Sequence, residues 1–352
     1  MSDLAQFLPW QEQLATSWLG QRERFAHAWL IHGLPGIGKR QFALAAAASL
    51  LCEAPVHGMA CGQCAACLWL ASGNHPDLRR IRPEAVALEE GAGAARPDDE
   101  SDAASAASKK APSKEIRVDQ LRGLSSWFNT ATHRGGWRVA VLYPAHAMNS
   151  ISANALLKVL EEPPEHTVFL LVADAPDRLL PTLVSRCRRL PLPVPGKQES
   201  LAWLGRQEIG QAEQWLAAAG GAPLLARQLA QTGEHPCPEW LSQLITPLAR
   251  RQTPDIGPLA DHLEKVSVDV WVDSLQRLFL DLLLAASGAP VRYFPSLEKQ
   301  TQLAAKLASM ENLAETAKWL AQQRAVAGHP LNAKLLLHST LQRVVLACSP
   351  TS

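Results

Sequence analysis

The sequence predicts an α/β fold: a parallel sheet covered by helices in the front half, followed by a rear half of helices alone. Three observations carry this. The apolar run Ala28 to His32 leads directly into the glycine loop Gly33-Leu34-Pro35-Gly36-Ile37-Gly38-Lys39-Arg40. Further apolar runs at Arg138 to Leu142 and Val168 to Ala173 alternate with segments of helical period. Beyond the proline-rich stretch Pro191 to Pro195 only helical periodicity remains.

Taken in order, Ala28 to His32 reads as a buried strand feeding a helix that runs from about Lys39 to Cys52. Residues Gly91 to Ser113 hold no large hydrophobe. They carry acids first (Asp98, Asp99, Glu100, Asp102) and then Lys109 and Lys110. Such a segment buries too little apolar area to offset ordering, so a disordered surface insertion is expected over 91–113. Order resumes at Ile116. Ala153, Leu156, Leu157 and Leu160 repeat at helical spacing until Pro163-Pro164 stops the helix. Strands alternating with helices imply a parallel sheet covered on both faces. The prolines at 191–195 read as a hinge. Behind it, Trp271, Leu275, Leu278, Phe279 and Leu282 mark one amphipathic helix, and Leu337, Leu341, Val344 and Val345 another. The expected division is a sheet domain over 1–194, a small helical domain over 195–244, and a larger helical domain over 245–352.

Composition bounds the function. The chain has 352 residues, 47% hydrophobic and 19% charged, enough for several cores. Its formal charge of +1 supplies no global field toward nucleic acid or acidic membrane, so any DNA contact has to be a local patch. Seven cysteines make no disulfide scaffold, and four of them cluster, which suits a reducing compartment. The start Met1-Ser2-Asp3-Leu4 has neither a basic region nor an apolar core. The longest apolar stretch, Phe42 to Cys52, is too short to span a bilayer. A cytoplasmic protein without a membrane partner is expected.

The spacing Gly33-x4-Gly38-Lys39, between a strand and a helix, lets backbone N–H groups wrap a phosphate while the lysine reaches its far oxygens. Gly33, Gly36, Gly38 and Lys39 are the candidate cofactor-binding residues. Two parts are missing. Arg40 stands at the position of the Ser or Thr that holds magnesium, and the strand Arg138 to Leu142 ends in Tyr143-Pro144 where the second acidic motif, Asp-Glu, should sit. Arg40 cannot ligate a cation, tyrosine cannot replace a magnesium carboxylate, and proline cannot orient a water, which argues against ATP hydrolysis. The residues alone leave anion binding through Lys39 open.

The spacing Cys52-x8-Cys61-x2-Cys64-x2-Cys67 suits four thiolates closing a tetrahedral zinc site, a structural one since no open position is apparent. An iron–sulfur cluster is the rival. It is disfavoured because the fourth cysteine lies upstream and no Cys-Pro follows. Cys187, Cys237 and Cys348 read as isolated thiols.

The segment Asn154-Ala155-Leu156-Leu157-Lys158-Val159-Leu160-Glu161-Glu162-Pro163-Pro164-Glu165-His166, with Ser185-Arg186-Cys187, resembles the clamp-loader branch of the AAA+ proteins. The cysteine insertion after the P-loop helix is similar to that of the bacterial DNA polymerase III clamp-loader subunits. Asn74-His75-Pro76-Asp77 and Asn332-Ala333-Lys334-Leu335-Leu336-Leu337 resemble family segments too; His75 is a candidate metal ligand beside the cysteines, but reads rather as part of a turn before a strand. The resemblance implies an AAA+ sheet domain, a helical lid over 195–244 and an all-α collar domain over 245–352. Two subunit types share these features. Arg40, Tyr143-Pro144, Ala173-Asp174 in place of a threonine sensor, and Leu224 in place of a sensor arginine resemble the non-hydrolysing delta-prime type rather than the gamma/tau motor. The resemblance further implies that Arg186 acts in trans on ATP held by a neighbouring gamma/tau subunit. The implied partners are gamma/tau and delta subunits, with the beta clamp and primed DNA reached through the complex. Zinc is the implied cofactor, and ATP binding by this chain is not expected. An active gamma/tau-type ATPase is the alternative. A zinc-dependent nucleic-acid binder is a third reading, weakened by the charge balance and by the lack of interleaved aromatic and basic residues. Lys158 reads as a solvated lysine on a helix packed by its leucines, with any DNA contact directed at the backbone and belonging to the assembly.

Overall fold

The computed structural model describes residues 4–22, 25–91, 111–128, 130–133, 136–233, 235–326 and 333–349. The chain divides into two compact units, Met1–Val194 and Pro195–Ser352.

The first unit is built on five parallel strands in the order β2-β3-β4-β1-β5. The strands are β1 (Ala28–His32), β2 (Leu78–Ile81), β3 (Arg138–Leu142), β4 (Thr167–Ala173) and β5 (Arg188–Pro191). The central strands are the apolar runs of the sequence. Burial covers all five residues of β3 and all seven of β4, as expected where helices pack on both faces. Of the edge strands, β5 escaped the sequence reading, and β2 entered it only as a strand expected after the turn at His75. β2 is Leu-Arg-Arg-Ile and β5 is Arg-Arg-Leu-Pro, and each keeps its arginines exposed, as suits a sheet edge. One expectation changes here. Pro191 pairs with His32 inside β5, and Leu192 N–H donates to the His32 carbonyl, so the hinge cannot begin at Pro191.

Around the sheet run α1 (Glu12–Leu19), α2 (Lys39–Leu51), α3 (Ala65–Ala71), α4 (Glu84–Glu89), α5 (Val118–Phe128), α6 (Ser150–Glu161) and the single turn α7 (Pro181–Val184). Alanine lets α2 lie close to the sheet: Ala43, Ala45, Ala46, Ala47 and Ala48 are all buried. It ends at Leu51, with Cys52 extended beyond it. Asn149 caps α6 by accepting from Ser152 N–H, and Leu156 and Leu160 face the core. Of the expected insertion over 91–113, residues 92–110 lie outside the described residues. On its far side Ser113 accepts from Ala85 N–H and donates to Glu84, so it is tied back to α4.

The second unit is helical: α8 (Lys197–Arg206), α9 (Ala212–Ala218), α10 (Pro223–Thr232), α11 (Glu239–Ala249), α12 (Ile256–Leu263), α13 (Val268–Ala286), α14 (Glu298–Leu307), α15 (Met310–Val326) and α16 (Ala333–Ala347). Trp271, Leu275, Leu278, Phe279 and Leu282 of α13 form its core with Leu337, Leu341, Val344 and Val345 of α16. Arginines tie the end of α9 to this core. Arg277 donates to the Ala218 carbonyl and Arg292 to the Gly220 carbonyl. Behind Arg292 the fully buried Asp281 accepts from the N–H groups of Arg292, Tyr293 and Phe294. Burial raises the Asp281 pKa, opposed by those three donors. Among the described residues, no helix is long and apolar enough to cross a membrane.

Candidate functional site: a closed phosphate loop, an exposed arginine and a cysteine cluster

In a parallel sheet the carboxyl ends of the strands share one rim, which is where open α/β folds bind ligands. β1 and β4 run in register, His32 beside Ala173, so the loop after β1 and Asp174 after β4 emerge together. The glycines of that loop are required by the backbone. Gly36 (φ 77°) and Gly38 (φ 91°) adopt conformations that side chains disfavour. A Cβ on Gly33 would stand 2.7 Å from the Leu192 carbonyl oxygen. The loop is also held from below: Trp10 donates to the Ile37 carbonyl, and Gln11 donates to the carbonyls of Ile37 and Gly38.

Lys39 does not project from this loop. Its side chain is only 5% exposed, with Nζ 2.8 Å from Asp174 Oδ1 and donating to the Leu34 carbonyl at 2.5 Å. The lysine that would reach a phosphate is thus already neutralised from within. His32 shares this charged corner: burial, Arg189 and Lys39 together lower its pKa.

Arg40 and Tyr143, expected from sequence to depart from an ATPase, meet at one carboxylate. Arg40 Nη1 lies 3.1 Å from Glu90 Oε1, Arg82 Nε lies 2.8 Å from Glu90 Oε2, and the Tyr143 hydroxyl donates to Glu90 Oε2 at 3.0 Å. Burial, with the Glu90 carboxylate adding to it, pushes the Tyr143 phenol up, so it stays a neutral donor at ordinary pH. Neither Glu90 nor the partnership of Asp174 with Lys39 was anticipated from sequence. Glu90 borders a low-complexity stretch and carries no motif, and Asp174 only marked a missing threonine.

Arg186 sits elsewhere. It follows α7 and precedes β5, so it lies at the amino end of the strands. The loop after β1 leaves from the carboxyl end, roughly 16 Å away along a five-residue strand. Its guanidinium is partly exposed, donating through Nη1 to the Thr182 carbonyl at 2.9 Å and through Nη2 to Glu161 Oε1 at 2.6 Å. The next residue, Cys187, is buried, which pushes its thiol up to about 12. Ser185-Arg186-Cys187 therefore anchors one side chain in the core and presents the one before it.

The four cysteines converge. Cys52 follows α2, Cys61 sits in a loop, Cys64 caps α3 by accepting from Cys67 N–H, and Cys67 lies in that helix. All four Sγ atoms lie within 4.8 Å of one another; Cys52 to Cys64 is 3.8 Å and Cys61 to Cys67 is 4.0 Å. A zinc–sulfur bond of about 2.3 Å in a tetrahedron gives sulfur–sulfur edges of about 3.8 Å. The donor set and spacing fit zinc. Thiolates around a two- or four-iron cluster surround its inorganic core and stand farther apart, so this geometry does not suit one. The N–H groups of Gln63 and Cys64 point at Cys61 Sγ and bring its pKa down to about 6, while burial pushes Cys67 up. Four neighbouring thiolates need a cation between them to stay ionised together. His75, considered beside the cysteines, is not among the grouped ligands. It is buried before β2, its Nδ1 accepting from Asp77 N–H.

Comparison with known proteins places these features in context. Residues 11–195 match the family model described as "DNA polymerase III, delta subunit". DNA polymerase III subunit delta′ of Pseudomonas aeruginosa is 35% identical over 97% of this chain and 95% of its own length. The same subunit of Escherichia coli is 32% identical over 66% of this chain and 63% of its own. Escherichia coli subunit tau is 34% identical over 47% of this chain and 21% of its own length.

Proposed function

The chain belongs to the delta-prime clamp-loader subunits of DNA polymerase III, and from that premise we propose that it is the non-hydrolysing member of the complex, supplying Arg186 to ATP on a neighbouring gamma/tau subunit. The observation that carries this reading is the opposite fate of two cations. Lys39, at the chain's own phosphate loop, is buried against Asp174. Arg186, at the far end of the sheet, is partly exposed with unused N–H donors. Binding ATP at the loop would require breaking the Lys39–Asp174 pair. Holding magnesium there would set a dication beside Arg40, where a ligating hydroxyl is needed. A guanidinium, by contrast, presents a planar fork of donors suited to phosphate oxygens. Placed against a transferring phosphoryl group, it stabilises the charge that spreads over the oxygens.

In this reading the complex opens the beta clamp and leaves it on primed DNA. The sheet unit packs beside a motor subunit, residues 195–244 form the lid, and residues 245–352 join the collar with gamma/tau and delta subunits. Cys52, Cys61, Cys64 and Cys67 hold a zinc ion whose contribution is a covalent-strength cross-link between α2 and α3. Similarity to Escherichia coli tau over 47% of this chain supports a common architecture for neighbours in such a ring.

Calorimetric titration of the isolated chain with ATP, with and without magnesium, tests the first half. The expected result is no magnesium-dependent binding and no turnover. Mixing the chain with gamma/tau and delta subunits tests the second half: it should enter a complex whose ATPase responds to primed DNA. Tight magnesium-dependent ATP binding by the lone chain would instead favour an active motor.

A further inference from the structure

If Arg186 acts on a neighbour's ATP, its guanidinium must be aimed before the neighbour arrives, because a free arginine side chain samples many rotamers. Two bonds fix it here, and they come from different elements. The Thr182 carbonyl belongs to the same local turn, α7, and one such bond alone would leave the guanidinium able to swing about Nη1. Glu161 belongs to α6, and its Oε1 at 2.6 Å from Nη2 supplies the second, charge-assisted point.

Glu161 is the last residue of α6. Pro163-Pro164 prevents the helix from continuing, which pins the carboxylate at this end. A helix carboxyl terminus is an unfavourable place for an acid, since the backbone dipole there is already negative. The guanidinium of Arg186 offsets that by pairing with the carboxylate. An arginine has five N–H donors. Two are spent on Thr182 and Glu161, and the others remain for phosphate oxygens.

From this geometry we infer that Glu161 is a positioning residue for Arg186, holding the guanidinium pre-aimed for a phosphate group on the adjoining subunit. The inference rests on the reading of Arg186 given above. It adds a residue whose contribution passes entirely through Arg186.

The test is steady-state ATP turnover by the reconstituted complex with gamma/tau and delta subunits, beta clamp and primed DNA, after size-exclusion confirms assembly of each variant. Glu161→Ala should lower kcat about two- to fivefold at the site served by Arg186, the range of an exposed ion pair, with the other motor sites setting a constant background and KM for ATP unchanged. Glu161→Gln, which keeps an acceptor, should recover most of that loss. Adding Glu161→Ala to Arg186→Ala should change nothing further. Wild-type turnover by Glu161→Ala would overturn the inference while leaving the reading of Arg186 intact. So would a loss that persists in the Arg186→Ala background, which marks a structural role, or a gain in turnover, which marks a restraint instead of an aim. Unchanged turnover by the assembled Arg186→Ala complex would overturn the reading of Arg186, and this inference with it.

Discussion

Replacing Asp174 with alanine strands a buried cation. Lys39 is 5% exposed and would keep only the Leu34 carbonyl, while Asp174 itself is 37% exposed. Exposed ion pairs are worth up to about 1 kcal/mol, whereas removing one partner of a buried pair costs about 3–5 kcal/mol. With one partner buried and the other partly solvated, the loss should be about 2 kcal/mol. The first unit comprises residues 1–194, so that loss corresponds to about 4–8 °C in its thermal midpoint. Lys39→Met keeps the stem packed and leaves Asp174 free to hydrate, so it should cost less than about 1 kcal/mol. The double variant should resemble Lys39→Met alone, with a coupling of about 1 kcal/mol or more. Urea unfolding read by hydrogen exchange in β1 and β4 peptides isolates this unit from the helical one. Independent, additive effects of the two substitutions would refute the reasoning. So would an Asp174→Ala chain as stable as wild type, since Lys39 would then be solvated and free to meet a phosphate.

The cysteine site should bind one equivalent of zinc per chain. Cobalt exchanged into it should show the absorption of a tetrahedral tetrathiolate, and Cys64→Ser should release metal and cost the first unit about 4 kcal/mol, measured by metal analysis alongside urea unfolding. Asp281→Asn sets an amide N–H among the three donors of residues 292–294 and should cost the second unit about 2–3 kcal/mol, read from its urea midpoint. His32 gives a pH dependence. Its folded pKa lies below the unfolded value of 6.5, so the unfolded chain takes the proton first. Stability is therefore retained above about pH 6.5 and falls as the pH drops below it; His32→Gln should flatten that slope in chemical denaturation across this window.

What was legible in the sequence follows from physics that is local in the chain. β1, β3 and β4 are apolar runs because both their faces are covered, and α6 shows its leucines at helical spacing because one face packs. The cysteine spacing sufficed to indicate four converging thiolates because two short turns bring the ligands together. β5 was missed, and β2 was expected only as a strand of unstated length after His75, because edge strands carry arginines toward solvent and so lack an apolar signature. The closure of the loop was hidden for another reason. Asp174 reaches Lys39 only because β4 lies beside β1, and Glu90 meets Arg40 only after the chain has crossed the sheet. Pairings made by topology leave no periodicity to read. The residues that mark the site as altered, Arg40 and Tyr143, were visible one by one, yet their common partner Glu90 was not.

The central claim is that this subunit contributes to ATP turnover on its neighbour and performs none itself. The most direct measurement is DNA-stimulated ATP turnover by the assembled complex carrying either Arg186→Ala or Lys39→Met in this chain. The claim predicts a loss on the order of a thousandfold at the interface served by Arg186, with turnover at the other motor sites setting the residual rate, and no change for Lys39→Met. Full turnover with Arg186→Ala, or a collapse with Lys39→Met in a complex that still assembles, would contradict it.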